Sequence, residues 1–540
     1  MDLESYRSDG EDFSRKLNRE YYEHLAGLKE SMESAAIIDQ YAHLFSRDAI
    51  DWLRGLRQAR RQEAPPAATE EARRLGYLLE FATDGYLSAA VKREVDELAT
   101  LEARAAIRLA GSDEGAAIPL RQVPVLIANE ADRSRRAALD QARNDLIDRE
   151  INPLAAVTYE KLYRTARELG YPGYTALYQD IKGIDLPGLA RVLRDFLRDT
   201  DAIYTRHLER RLAEVGVPLG QAQRHDLAPL WRATRYDRYF PPEGAVPVLQ
   251  RALAGLGIDL GGQAALVIDA EPRPRKSPRA FCAPVRVGRE VMLVIRPHGG
   301  VDDYRALFHE AGHAEHYAGV REEALEYQRL GDNSVTEAFA FLLEHLLHDP
   351  RWLARYARLE DPEHLRLTLF HKLYMLRRYA AKLDYELALH RTSSNPEFAP
   401  QSPAEDGNKN GFADVKRNGS TIKAKSSQYR KFLGEALKVE HPPEAYLTDL
   451  DPGFYASQYL RAWIFEAQLR ESLKRRFGRE WYRSEAAGRR LQELWGYGQK
   501  YTPEELAADL GYRNLEPGPL VEEIEAALRQ PHLEKRDQTG

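Results

Sequence analysis

Cysteine is all but absent from this chain: Cys282 stands alone among 540 residues. No disulfide within the chain and no cysteine cage can form, so any metal must be held by histidines and carboxylates. No stretch approaches the ~20 consecutive apolar residues that a membrane span requires. The opening "MDLESYRSDGEDFSRKLNRE" lacks a basic segment followed by an apolar run, and a soluble, cytoplasmic protein with no membrane partner is expected. An excess of one charge is missing too. Lys and Arg number 78 against 84 Asp and Glu, a formal net charge of -6, with no long basic run, so nucleic acid is not the implied partner. Nor is there an internal repeat at solenoid period.

What is present is globular composition, 43% hydrophobic and 30% charged, in a chain long enough for several domains or one large helical one. Apolar residues recur at helical spacing through most of 1–260, for instance from Glu70 to Ala110 and from Leu189 to Gly216, which predicts a helical N-terminal region. The pattern changes at "AALVIDA" (264–270), "RAFCAPVRV" (279–287) and "EVMLVIRP" (290–297). These runs are short, rich in β-branched residues and bounded by Gly and Pro, so they predict a small sheet, with Gly288 in a hairpin connection. Asp302 or Asp303 is expected to cap the helix that follows. Helices are expected again over Ser334–Leu347 and Glu363–His390. The segment 392–427, rich in Ser, Asn, Gly, Pro and Lys, reads as a mobile loop, and helices resume beyond it. The expected organisation is an N-terminal helical region, 1–260, and a second region, 261–540, that carries the chemistry.

That chemistry starts from "ALFHEAGHAEHYAG" (306–319). Residues four apart on a helix share a face one turn apart, so His309 and His313 can aim ring nitrogens at one ion with Glu310 beside it. A random chain of this composition would contain about 0.04 such His-Glu-x-x-His matches. A hydrolytic zinc takes three protein ligands and keeps one position open. Glu337, 24 residues beyond His313 in the apolar "SVTEAFAFLLEHLL", is the expected third, because a carboxylate buried there without a partner is expensive. Glu344 lies seven residues on, two turns along the same face, where it can accept the second ring proton of a ligand histidine. Gly312 costs a helix about 1 kcal/mol against Ala, and close approach of another backbone is the expected reason. His316 is expected to pack rather than ligate.

"FHEAGHAEHYAG", "SVTEAFAFLLEH" and "RAFCAPVRVGREVMLVIRP" together resemble the catalytic core of the thimet oligopeptidase and oligoendopeptidase F family of zinc metallopeptidases, with a layout similar to that of angiotensin-converting enzyme. The likeness covers roughly Arg279–Glu344 and a second patch, "DPGFYASQYLRAWIFEAQLRESL" (451–473). It implies a mainly α fold with a deep substrate channel and a small sheet beside the active-site helix, and cleavage of short peptides. It also implies that main-chain groups of an edge strand, here Ala280, Phe281 and Cys282, pair with the substrate. One Zn2+ per chain is implied, on His309, His313 and Glu337, with Glu310 as general base. Tyr459 matches the family's principal oxyanion donor and Tyr455 its auxiliary; such a donor is often worth ~3 kcal/mol in the transition state. The sequence departs from the family where Gly453 replaces a histidine, and His441 is the nearest histidine to it. The expected function is therefore a zinc-dependent oligopeptidase, the alternative a helical peptide-binding protein that keeps the metal but has weak or no catalysis.

Overall fold

The computed structural model describes residues 2–62, 67–109, 117–232, 234–391 and 415–529. Among them the protein is mainly helical, with one three-stranded sheet and a two-residue strand pair. No helix among the described residues is long and apolar enough to cross a membrane.

The first helix, Leu3–Leu25, begins where the Asp2 carboxylate accepts the Ser5 N–H at 2.9 Å, satisfying one of the donors that a helix start leaves free. The pattern read from Glu70 onward belongs to one long helix, Ala67–Arg104. The pattern from Leu189 divides into two, Leu186–Asp199 and Asp201–Glu214, with Thr200 between them. A single buried apolar cluster runs from Tyr6 and Leu53 through Leu307 and Phe339 to Leu528, so both regions of the chain contribute to one core.

The sheet has the order Leu266–Asp269, Glu290–Val294, Phe281–Arg286. Its most apolar strand, Glu290–Val294, is central: it runs parallel to Leu266–Asp269 and antiparallel to Phe281–Arg286, with Cys282 opposite Leu293. The hairpin expected at Gly288 is there. Its φ of +71° suits glycine, and a Cβ would meet the Val320 carbonyl at 2.9 Å. Strand pleating sends alternate residues to opposite faces. Ala283 and Val285 lie under Tyr22 and Ala26 of the first helix, while Ala280 and Cys282 face the main core.

The motif helix, Val301–Gly319, follows. Its cap differs from expectation: Gly300, at φ +90°, is the capping residue. Asp303 instead accepts the N–H groups of His298 and Gly299 at 2.9 and 3.0 Å, pinning the entering loop. A carboxylate in the first turn can reach back to donors that a capping residue could not. The next helix, Asn333–Glu344, is capped by Asp332, which accepts the Ser334 N–H at 2.9 Å. Beyond it lie the 30-residue helix Pro362–Arg391 and the tyrosine helix, Tyr455–Phe477.

Of the loop expected over 392–427, residues 392–414 lie outside the described residues. The remainder is a correction, because Val415–Leu437 is a helix. Its later turns bury Tyr429, Leu433 and Leu437, and that anchoring supports further turns N-terminal to it, since propagation costs far less than nucleation.

Candidate metal centre

The motif helix and the Glu337 helix touch backbone to backbone. A Cβ on Gly312 would lie 2.4 Å from the Phe339 carbonyl oxygen and 2.5 Å from the Ala340 Cα, so no side chain fits between them. This approach brings His309 Nε2 to 3.5 Å and His313 Nε2 to 3.7 Å from Glu337 Oε2. One donor atom from each of the three lies within 4.8 Å of the others.

The remaining ring nitrogens are fixed from behind. His309 Nδ1 is 3.0 Å from Glu344 Oε2, the partner expected from helical spacing. His313 Nδ1 is 2.8 Å from Thr336 Oγ1. Thr336 was not read from the sequence, although it is a buried polar residue that immediately precedes Glu337. Arg305, one turn before His309, donates to Glu344 Oε1 at 3.2 Å. With both Nδ1 atoms engaged, both Nε2 atoms are left to converge on the carboxylate, the orientation that outer hydrogen bonds impose at histidine metal sites.

The donors suit a divalent cation. Glu337 is buried, and its Oε2 accepts no well-formed hydrogen bond, a costly state for a carboxylate oxygen unless a cation serves it. Two of the donor separations fall below the ~4 Å that a pair of ~2 Å zinc bonds can span. The two histidines differ in their electrostatic surroundings. Burial opposes the charged form of His309, but Glu337 and Glu344 outweigh it and hold its pKa up to about 10. His313, buried and bonded to a neutral hydroxyl, is pushed down to about 4. Glu337 is held below the usual carboxylate range by the two imidazoles and Tyr455, against the effect of burial.

Glu310 projects toward the sheet, and its Oε2 accepts the Cys282 N–H at 2.8 Å. Burial pushes its pKa up to about 7, only partly countered by His309 and that N–H. Of the three strand residues expected to meet a substrate, Cys282 thus presents a main-chain group to the centre. Ala280 is buried, and Phe281 packs beside the first helix.

The tyrosine pair divides in role. Tyr455, expected as an auxiliary oxyanion donor, donates here to Glu337 Oε1 at 2.9 Å, so in this arrangement its hydroxyl steadies the carboxylate of the centre. Tyr459 stands among Phe341, Tyr379, Tyr455 and Trp463. Burial and the charge of Glu337 hold its hydroxyl protonated, and no hydrogen bond among the described residues engages it. Gly453 has a local reason. Its φ is +64°, its N–H donates to the Tyr174 hydroxyl at 2.9 Å, and a Cβ would meet the Tyr178 ring at 2.8 Å. His441 is 2% exposed, its Nδ1 on the Val439 carbonyl at 3.1 Å, and does not reach the centre. His316 is fully buried, packed on Tyr317 and Phe339, as its position on the helix implied.

Neither the models of known protein families nor the curated proteins match this chain.

Proposed function

We propose that this protein is a zinc-dependent hydrolase of short peptides, with one ion held by His309, His313 and Glu337. The observation that carries the reading is the convergence of two back-bonded imidazoles on the buried, unpartnered Glu337 Oε2. The resemblance to the thimet oligopeptidase and oligoendopeptidase F family supports the same assignment.

When bound, zinc supplies Lewis acidity to a water and to the carbonyl under attack. The chain supplies the rest. Glu310, poised near neutrality by burial, accepts a proton from the attacking water and returns it to the leaving nitrogen. Tyr459 donates its free hydroxyl to the oxygen that gains negative charge. Tyr455 holds Glu337 in place through its 2.9 Å hydrogen bond. The outward edge of the strand at Cys282 offers main-chain groups to an extended peptide, and its N–H is available once Glu310 turns from it to the water.

A second reading, a peptide-binding protein that keeps the metal and turns over weakly, draws on the engaged hydroxyl of Tyr455 and on Gly453, which leave Tyr459 as the single donor for the oxyanion. Elemental analysis together with cleavage of a mixed short-peptide library separates the two. Stoichiometric zinc with chelator-sensitive cleavage supports the hydrolase, whereas stoichiometric zinc without cleavage of any member supports the binder. No stoichiometric metal contradicts both.

A further inference from the structure

Arg329 lies in the short turn of helix Glu326–Leu330, just before the Glu337 helix. It is mostly buried, yet among the described residues no carboxylate lies within ion-pair distance of it. The two nearest carboxylates in sequence, Glu326 and Asp332, are committed elsewhere, Glu326 to Arg7 at 2.6 Å and Arg74 at 3.3 Å and Asp332 to Arg461. What Arg329 meets is neutral and distant: the Pro284 carbonyl at 3.5 Å and Asn18 Oδ1 at 3.4 Å. The contrast with Arg461 is direct, since that buried guanidinium is matched by Asp332 at 2.5 Å and by Glu504. A guanidinium taken out of water without an anion is unfavourable, and such a group needs a reason.

Its position provides one. Main-chain groups two residues apart on a strand point the same way, so the Pro284 carbonyl lies on the same outward edge as the Cys282 N–H that reaches Glu310. The two are about 7 Å apart along the strand. Pro284 has no N–H to offer, so this end of the edge presents only its carbonyl and the guanidinium beyond it. Burial draws the guanidinium pKa below its usual value, and Tyr317, one turn past His313, is the one ionisable group acting on it. Arg329 therefore stands beside the strand edge that leads to Glu310, its donors met by two neutral oxygens at 3.4 and 3.5 Å and, among the described residues, by no carboxylate.

We infer that Arg329 is a specificity-determining residue that anchors a carboxylate of the peptide substrate, about two residues along the edge strand from Glu310. The inference rests on the peptide-hydrolase reading for the identity of the ligand. A guanidinium and a carboxylate form paired, charge-assisted hydrogen bonds. The carboxylate comes from the free C-terminus or from an acidic side chain, and both present the same planar pair of oxygens.

The test separates binding from turnover. Zinc-loaded Glu310→Gln protein is titrated by fluorescence anisotropy with one labelled peptide as free acid, as C-terminal amide, and as amide with an internal Glu. The free acid should bind ~10–100-fold tighter than the amide. Arg329→Gln in the same background should abolish that difference, and Arg329→Lys should restore part of it, with circular dichroism showing both folded. If the internal Glu alone recovers the affinity, and does so only with Arg329 present, the anchor stands and its carboxylate source is the side chain. Equal affinity for all three peptides, or a preference that survives Arg329→Gln undiminished, overturns the inference. Tight Arg329-dependent binding by a wild-type protein that cleaves nothing would instead overturn the hydrolase reading and leave the anchor standing.

Discussion

The histidine side and the tyrosine side of the centre are built differently. On the histidine side two helices meet without room for a methyl group at Gly312, and each imidazole is bonded from behind, to Glu344 at 3.0 Å and to Thr336 at 2.8 Å. On the tyrosine side the helix starts after two consecutive left-handed residues, Gly453 and Phe454, and the Tyr459 hydroxyl has no hydrogen-bond partner among the described residues. On the proposed function, the difference separates holding from reacting. A metal ligand must be in place before the ion arrives, whereas an oxyanion donor needs its partner only when charge develops, and is best left uncommitted until then.

The largest effect should come from the group between the two sides. Glu310→Gln keeps the three metal donors and removes the proton acceptor, so kcat should fall about 10²–10⁴-fold while zinc content by elemental analysis stays unchanged. Next is the tyrosine side itself. Tyr459→Phe should lower kcat/KM about 10²–10³-fold with KM little altered. Tyr455→Phe should act mainly on zinc affinity, because its hydroxyl serves Glu337. If both variants lose kcat alike with zinc retained, the division of roles is wrong.

The histidine side is tested by its backing groups. Glu344→Gln and Thr336→Val should each weaken zinc binding about 10–100-fold in a chelator competition, with the folded state intact. Gly312→Ala should destabilise the protein by about 1–3 kcal/mol in urea denaturation, since the added methyl would clash with the backbone at Phe339 and Ala340 and must be relieved by moving a helix. Smallest at neutral pH is the effect of His441. Burial depresses its pKa to about 4 in the folded state against an ordinary 6.5, so the unfolded chain takes up the proton first. Stability from this residue is complete above pH 6.5 and is lost as pH falls toward 4. His441→Gln should leave the denaturation midpoint at pH 8 close to its own pH 5 value more nearly than wild type does.

Much of the histidine side was legible in the sequence because helical periodicity alone relates the residues: four apart for His309 and His313, seven apart for Glu337 and Glu344. Gly312 was legible for a related reason, as a glycine inside a helix needs a close neighbour. Thr336 was not, since a threonine in a helix bonds its own backbone as readily as another side chain. The tyrosine side resisted because the left-handed pair at Gly453 and Phe454 sets the rotation of the helix start, and no spacing rule conveys that. Arg329 was illegible because an unpaired cation becomes visible only when every carboxylate around it has been placed. The strands were found within a few residues of their ends, whereas 415–427 was misread, because its polar composition hid a helix that is anchored farther along.

The central claim is that His309, His313 and Glu337 hold one catalytic metal ion. Elemental analysis of the purified protein and of Glu337→Gln, each paired with a peptide-cleavage assay before and after chelation, tests it most directly. The account predicts one zinc per wild-type chain, cleavage abolished by the chelator and restored by added zinc, and loss of both metal and cleavage in Glu337→Gln. Cleavage that survives complete metal removal, or a wild-type chain that binds no stoichiometric metal, would contradict it.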